Sequence, residues 1–239
     1  MATGPTLRRR QLAGIAFACV FPSLMTWVYF VALGGREEAG IAYMVGKLLQ
    51  FGFPVVWVRW VERGSLRPAA ASRDGIAHGS LFGALVVVVL LALYVGGFRG
   101  SALLDGAATQ LRGRLTPLGL DTPLGVIALF AFFCIAHSLL EEYYWRWFVF
   151  GRLRAQTRPA LAGFISSVGF MAHHVIVLHQ LTGGAWGPLV LLSLGVAIGG
   201  AAWAWIYHRS GSLYGAWWSH GLVDAGLMLV GYDLLWPLW

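Results

Sequence analysis

Long apolar stretches, separated by short segments rich in charge, glycine or proline, run through the whole sequence. A helix needs about 20 predominantly apolar residues to cross the hydrocarbon core of a bilayer. The stretches that approach or exceed that length are Leu12–Leu33, Ala39–Trp60, Ile76–Gly97, Pro123–Phe150, Pro159–Leu181, Gly187–Tyr207 and Ser212–Trp236. The last one holds enough polar residues to break into two helices, and Ser101–Leu115 can lie along the interface. The pattern therefore predicts seven to eight transmembrane helices.

The composition leads to the same class of protein. Of the 239 residues 58% are hydrophobic and only 11% are charged, which leaves too little charged surface to cover a water-soluble globule. We therefore predict an all-α, polytopic membrane helix bundle that forms a single integral membrane domain over residues 1–239. The ionisable residues within the spans are concentrated in residues 123–239, whereas residues 1–122 bury one charge, Lys47.

Arginines at the ends of the predicted spans account for the net charge of +7. They form no basic stripe or RNA-binding signature, so nucleic acid is excluded as a partner. A cytoplasmic N-terminus leaves only Arg36, Arg99, Arg112 and Arg114 among the loop arginines outside, which satisfies the positive-inside rule. We therefore predict a multi-pass plasma (inner) membrane protein. Its preference for arginine over lysine is typical of a bacterial genome rich in G and C.

Ionisable side chains inside three of the predicted spans are the main functional signal. A central Asp, Lys or Arg costs roughly 2.5–3.5 kcal/mol in a membrane helix, so an ionisable group within a span normally faces a partner or a wet cavity. These residues are His137, Glu141, Glu142, Arg146, His173, His174, His220 and Asp224. At about 1.5 Å per residue, Glu141, His174 and His220 lie roughly 14, 22 and 12 Å from the cytoplasmic ends of their spans. Three helices can therefore direct one carboxylate and two imidazoles into a single cavity within the bilayer.

The spacing of residues on the fourth span separates a structural role from a chemical one. Glu142 and Arg146 are four residues apart, so they share a face and can form a buried ion pair. Glu141 points about 100° away from Glu142 and can face the cavity. The alternative for Glu141 is a pairing with Lys47 or His137. A water held between a carboxylate and an imidazole is the usual arrangement for hydrolysis without a covalent intermediate.

Three segments resemble the motifs of a known protein family. The segment Glu141-Glu142-Tyr143-Tyr144-Trp145-Arg146 is similar to a Glu-Glu-x-x-x-Arg motif. Phe170-Met171-Ala172-His173-His174 is similar to a Phe-x-x-x-His motif, and Ser210 to Asp224 (SGSLYGAWWSHGLVD) resembles a Gly-Ser-Leu turn that leads into His-x-x-x-Asn. Their order and intervals resemble those of the CAAX-protease and bacteriocin-processing (CPBP) family of intramembrane endopeptidases. Residues 123–239 thus look like the catalytic helices of that family.

The resemblance implies an endopeptidase that cleaves a membrane-embedded or membrane-adjacent peptide or protein near its C-terminus, with its active site in the bilayer. By position, Glu141 would activate a water, His174 would assist it, and His220 with Asp224 would stabilise the oxyanion. Position 224 is Asp where the family usually has Asn, and an ionised carboxylate cannot donate to an oxyanion. Asp224 would therefore have to be protonated or to act by orienting His220.

Other side chains are expected to support the site. Glu142, Arg146 and Phe170 would hold the helices, and His173 would have a packing or water-bonded role because it points about 100° away from His174. Two further expectations concern the sixth span, one on helix packing and one on the bilayer interface. Gly195 and Gly199 have the small-x-x-x-small spacing that lets membrane helices approach closely. Trp203 and Trp205 are expected in the tryptophan belt at the bilayer interface.

Metal-dependent and non-enzymatic alternatives remain open at this point. The resemblance implies a metal-free site, so no cofactor is expected. The alternative is a zinc site in which Glu141, His174 and His220 are ligands. A non-catalytic bacteriocin self-immunity or scaffolding protein could have the same fold. A proton-coupled transporter is a third alternative, because Glu, His and Asp within helices also form proton relays.

Overall fold

The computed structural model describes residues 5–67 and 69–235, and every regular element in these ranges is helical. The helices in chain order are α1 (Thr6–Ala32), α2 (Glu38–Val61), α3 (Arg73–Phe98), α4 (Ala102–Leu115), α5 (Pro123–Leu153), α6 (Pro159–Leu181), α7 (Trp186–Ser210) and α8 (Leu213–Leu235). Trp236, the predicted end of the last span, lies outside the described residues. The predicted all-α polytopic bundle is confirmed.

The number of membrane-spanning helices differs from the predicted number. Among the described residues, six helices are long and apolar enough to cross a bilayer: α1, α2, α3, α5, α6 and α7. Helix α8 has 23 residues but is less apolar, because it carries Ser219, His220, Asp224 and Asp233. It is continuous and does not break into two pieces. The count of seven to eight is thus not confirmed.

Short polar and glycine signals set the ends of the helices. The side-chain oxygens of Ser72 and Thr122 accept hydrogen bonds from the backbone N–H of Gly75 and Gly125, which caps the first turns of α3 and α5. Gly211, with a φ of 64°, ends α7 in the left-handed conformation that glycine adopts without strain. These ends bring α8 back against the helices that precede it.

The second half of α5 runs through the centre of the bundle. Tyr144 and Trp145 are fully buried there. The Tyr144 hydroxyl donates to the carbonyl of Ala18 on α1 at 2.8 Å, and Ser166 on α6 donates to the carbonyl of Trp145 at 3.0 Å. Because α1 and α6 enclose this half of α5, the residues that follow its Glu-Glu pair are shielded from lipid.

Helix α8 lies directly against the backbone of α3 along a seam of glycines. A Cβ atom added at Gly79 would overlap the backbone of Gly215, and one added at Gly83 would lie 3.1 Å from the side chain of Leu222. A Cβ atom added at Gly215 would in turn overlap the backbone of Gly75. Small residues allow membrane helices to approach this closely, so the α3–α8 pair gains its contact from backbone proximity.

The predicted close approach at Gly195 and Gly199 is wrong. A Cβ atom at Gly195 would meet no atom within 4 Å, and one at Gly199 would meet Trp203 of its own helix. The close contact on α7 lies at Gly200, where a Cβ would be 3.2 Å from Ser167 on α6. The spacing identified a helix rich in small residues but not the face that meets its neighbour.

Candidate active site

Three imidazoles surround the carboxylate of Glu141 in the interior of the bundle. Glu141 lies on α5 and is only 2% exposed. Its Oε1 atom is 3.5 Å from Nε2 of His173 on α6. Its Oε2 atom is 3.7 Å from Nε2 of His220 on α8 and 3.8 Å from Nδ1 of His137, one turn earlier on α5. The structure thus brings together side chains from three helices around one carboxylate.

Helix α5 is irregular on both sides of this carboxylate. Glu141 and Glu142 occupy a single turn of α-helix, Ser138–Glu142. Wider π-helical turns, Phe133–His137 and Tyr143–Phe150, come before and after it. Such turns change the direction of the side chains that follow and are frequent at functional sites. Side-chain directions on this part of α5 therefore depart from those of a regular helix.

Glu142 joins two of the polar side chains that the sequence singled out. Its Oε2 atom is 3.2 Å from Nε of Arg146, and all of both side chains is buried. Its Oε1 atom accepts a hydrogen bond from Nδ1 of His220 at 2.9 Å. The second contact was missed by sequence reasoning because it joins residues far apart in the chain. Since Nδ1 donates to Glu142, Nε2 of His220 is turned toward Glu141.

Arg146 connects α5 to α6 and α7. Its guanidinium carbon lies 4.7 Å from the ring centre of Phe170 and 5.1 Å from that of Trp203. Its Nη2 atom donates to the carbonyl of Gly200 at 3.2 Å. With Glu142 as its counter-ion, the arginine is neutralised and covered by aromatic rings, an arrangement that holds three helices together.

The two adjacent histidines of α6 both reach the site. Nδ1 of His174 donates to the carbonyl of Phe170 at 2.9 Å, which leaves Nε2 as its available nitrogen. The His173 ring is stacked on Trp145, with 5.8 Å between ring centres, while its Nε2 atom is the closest imidazole nitrogen to Glu141. His173 packs on Trp145 and also faces Glu141, a contact that its direction relative to His174 did not predict.

His220 is held from its other side by Trp203 on α7. The two rings are stacked, with 4.0 Å between centres, and Nε1 of Trp203 donates to Ser219 at 3.1 Å. Trp203 is therefore a buried wall of the site, and its assignment to the interfacial belt is wrong. Trp205 is half exposed. In the sequence these two tryptophans differ only in lying two positions apart on α7, so the pattern did not indicate which of them is buried.

Asp224 lies next to His220 but makes a longer contact than Glu142 does. Its Oδ1 atom is 3.7 Å from Nε2 of His220, and its side chain is partly exposed. Because Glu142 bonds Nδ1 of His220 at 2.9 Å, Glu142 is the carboxylate that orients this ring. Asp224 instead lies on the same side of the imidazole as Glu141.

The donors that could hold a metal ion differ from those predicted for zinc. Glu141, His173 and His174 each offer a ligand atom, and these atoms lie within 4.8 Å of one another. The hydrogen bond from Nδ1 of His174 to a backbone carbonyl is the usual support for a metal-binding imidazole. His173 takes the place that the sequence assigned to His220. A carboxylate and two imidazoles fit the chemistry of a zinc site with an open position.

Comparison with known proteins identifies the region that holds this site. Residues 123–226 match the family model described as Type II CAAX prenyl endopeptidase Rce1-like. The match begins at the first residue of α5 and includes Glu141, His174, His220 and Asp224. No curated protein and no solved structure matches the sequence significantly. The resemblance seen in the sequence motifs is confirmed by this match.

Proposed function

We propose that the chain cleaves peptide bonds by means of a water activated by Glu141, because residues 123–226 match the Rce1-like family model of type II CAAX prenyl endopeptidases. The family supports an intramembrane peptidase. The observation that carries the finer proposal is the buried Glu141 carboxylate with an imidazole nitrogen 3.5–3.8 Å from its oxygens on three sides.

In the proposed reaction Glu141 takes a proton from water as the water oxygen attacks the scissile carbonyl carbon. The electron pair of the C=O bond moves to oxygen, which forms a tetrahedral oxyanion. Collapse of this intermediate breaks the C–N bond, and the protonated Glu141 returns the proton to the leaving amine. His174, with Nε2 available, would hold the water beside the carboxylate.

His220 is suited to stabilise the oxyanion. Its Nδ1 atom is bonded to Glu142 and its ring is stacked on Trp203, so the imidazole is fixed before substrate binds. A fixed donor costs no reorganisation when charge develops in the transition state. When protonated, Nε2 of His220 would donate to the oxyanion on the side where Glu141 lies.

The proposed substrate is a membrane-embedded or membrane-adjacent peptide or protein that is cut near its C-terminus. The candidates we favour carry a short C-terminal hydrophobic tail followed by arginines. The proposed location is a bacterial plasma (inner) membrane, with the N-terminus in the cytoplasm. The six apolar helices and the depth of Glu141 in the bundle agree with a reaction inside the bilayer.

The test of the proposed function is cleavage by the purified protein in liposomes. Peptides that carry a hydrophobic tail followed by arginines are added, and new termini are identified by mass spectrometry. We expect a defined cut near the C-terminus, with both fragments recovered. Absence of cleavage of every such peptide, in liposomes that retain folded protein, would contradict the proposal.

Metal dependence separates the glutamate mechanism from the zinc alternative. We expect activity to survive dialysis against a chelator, because a water activated by Glu141 needs His174 and His220 only as hydrogen-bonding partners. Activity should fall as the pH is lowered, because a protonated Glu141 cannot take a proton. The measurements are the cleavage rate after chelation and the metal content per chain. About one zinc per chain, whose removal and return switches cleavage off and on, would establish the alternative.

Replacement of Asp224 by Asn tests the role of the charge at position 224. We expect Asp224→Asn to keep activity within about tenfold of wild type, since Glu142 already orients His220 and the amide can donate to an oxyanion. Asp224→Ala leaves no hydrogen-bonding group at position 224, so it should be slower than Asp224→Asn. The measurement is kcat/KM for one cleaved peptide. Complete loss with Asn and full activity with Ala would each contradict this account.

A further inference from the structure

Lys47 is a cation within a membrane helix whose ammonium no carboxylate in the described part of the chain contacts; the carboxylate of Glu141 acts on it from beyond contact distance. It lies on α2, and among the described residues no carboxylate oxygen lies within 4.0 Å of its Nζ atom. It donates to the side-chain carbonyl oxygen of Gln50 at 3.4 Å and lies over the rings of Tyr43 and Phe51, whose centres are 5.8 and 5.5 Å away. A charge within a membrane helix that has no counter-ion in contact is costly and normally marks a functional site.

The side chain of Gln50, which lies beside Lys47, has an amide NH₂ group with no hydrogen-bond acceptor among the residues described. Its side chain is 2% exposed, and its Nε2 atom has no hydrogen-bond partner in the described structure. The ammonium of Lys47 can only donate, so the carbonyl oxygen of Gln50 must face it and the amide NH₂ must turn to the other side. The free groups of this pair are therefore all N–H donors: the remaining ammonium hydrogens of Lys47 and the amide NH₂ of Gln50, for which the described residues supply no acceptor.

This donor pair lies on the side of α2 that faces the active site. The ring of Phe51, one turn after Lys47, meets the ring of His137 edge to face with 6.4 Å between centres. His137 in turn is 3.8 Å from Glu141. The hydroxyl of Tyr143 on α5 donates to the carbonyl of Phe51 at 3.5 Å. Phe51 thus contacts both the ammonium of Lys47 and the imidazole of His137, which places Lys47 near the imidazoles around Glu141.

We propose that Lys47 and Gln50 form a subsite that binds a carboxylate of the peptide substrate. The proposal rests on the proposed peptidase function. A donor-only pair, one member of which is charged, is complementary to a carboxylate, and charge-assisted hydrogen bonds of this kind are the stronger ones. A peptide offers two such groups, its C-terminus and the side chain of Asp or Glu.

The experiment measures binding of three forms of one short apolar peptide to the purified protein. The first form has a free C-terminal carboxylate, the second has a C-terminal amide, and the third has a C-terminal amide and one internal Glu. We expect the wild-type protein to bind one carboxylate form about tenfold or more tighter than the plain amide. Tighter binding of the first form identifies the C-terminus as the ligand, and tighter binding of the third identifies an acidic side chain.

Substitutions at the subsite connect that preference to these two residues. Lys47→Met and Gln50→Leu should each bring the affinity for the carboxylate forms close to the affinity for the plain amide. Lys47→Arg should keep the preference for a carboxylate. Lys47→Met should also keep the melting temperature close to the wild-type value, because removing a charge from the bilayer offsets the loss of the hydrogen bond to Gln50, whereas loss of a lysine with a purely structural role would lower it. Leu48→Met, next in the chain and exposed on the outer face, is the matched control and should change neither measurement.

The outcomes separate this subsite from the peptidase activity, because binding is measured without cleavage. Equal or absent binding of the carboxylate forms to wild type, or a preference that survives in both Lys47→Met and Gln50→Leu, would overturn the subsite. A protein that cleaves peptides with no carboxylate preference would keep the proposed function and lose the subsite. A protein that prefers carboxylates but cleaves nothing would keep the subsite and lose the peptidase mechanism.

Discussion

Glu141→Gln is expected to lower the rate of peptide cleavage by about 10²–10⁴-fold, the contribution typical of a general base, and to leave the fold intact. Glutamine keeps the shape of the side chain but cannot take a proton from water. The imidazoles of His137, His173 and His220, which lie 3.5–3.8 Å from the carboxylate, remain in place around the amide. The measurements are the initial rate of cleavage and the melting temperature in detergent.

Glu38→Gln is the matched control for this experiment. It makes the same chemical change at an exposed position in the first turn of α2 and should leave both measurements unchanged. A Glu141→Gln protein that cleaves at nearly the wild-type rate would contradict the assignment of the base. The same variant separates an enzyme from a self-immunity or scaffolding protein, whose protective function would not depend on proton transfer at position 141.

Glu142→Gln is expected to destabilise the protein by about 3–5 kcal/mol, the cost of leaving one partner of a buried ion pair charged and unpaired. The amide oxygen can still accept from Nδ1 of His220, so the change acts mainly on Arg146, which is fully buried. The rings of Phe170 and Trp203 and the carbonyl of Gly200 offer the guanidinium no negative charge. The measurement is thermal unfolding in detergent, where we expect a fall on the order of 10 °C.

Glu62→Gln provides the comparison, because Glu62 forms an ion pair near the helix ends. It pairs with Arg152 at 3.0 Å, and these side chains are 11% and 15% exposed. This pair is partly exposed, so its loss should cost less than the loss of the fully buried pair of Glu142 with Arg146. A melting temperature unchanged by Glu142→Gln, or lowered equally by both substitutions, would show that the buried pair contributes nothing special to stability.

The sequence predicted the helices and the local contacts of this protein well, because both follow from short-range rules. Crossing a bilayer requires an uninterrupted apolar run, and the run Pro159–Leu181 is also the observed extent of α6. Contacts between residues four apart follow from helix geometry alone. The pair of Glu142 with Arg146 and the approach of His220 to Asp224 were both expected on that basis.

Contacts between helices could not be predicted in the same way. A membrane helix is apolar on every face, so hydrophobicity does not say which face meets a neighbour. The bond from His220 to Glu142 and the stacking of Trp203 on His220 both depend on that choice. The π-helical turns on either side of Glu141 further change the side-chain directions that a regular helix would give. His173 reaches Glu141 for these reasons, although its neighbour His174 was the expected partner.

Residues 123–226 should not be transferable to another protein as a module. Helix α8, which positions His220 against Glu142, lies on the bare backbone of α3 at Gly75, Gly79 and Gly83. Helix α3 belongs to the part of the chain that the family match does not cover. A chimaera that joins the matched region to unrelated helices would need a glycine track of the same spacing, or His220 would be displaced from Glu142. We therefore expect substitutions at these α3 glycines to be tolerated far less than substitutions in the motif-free helices around them.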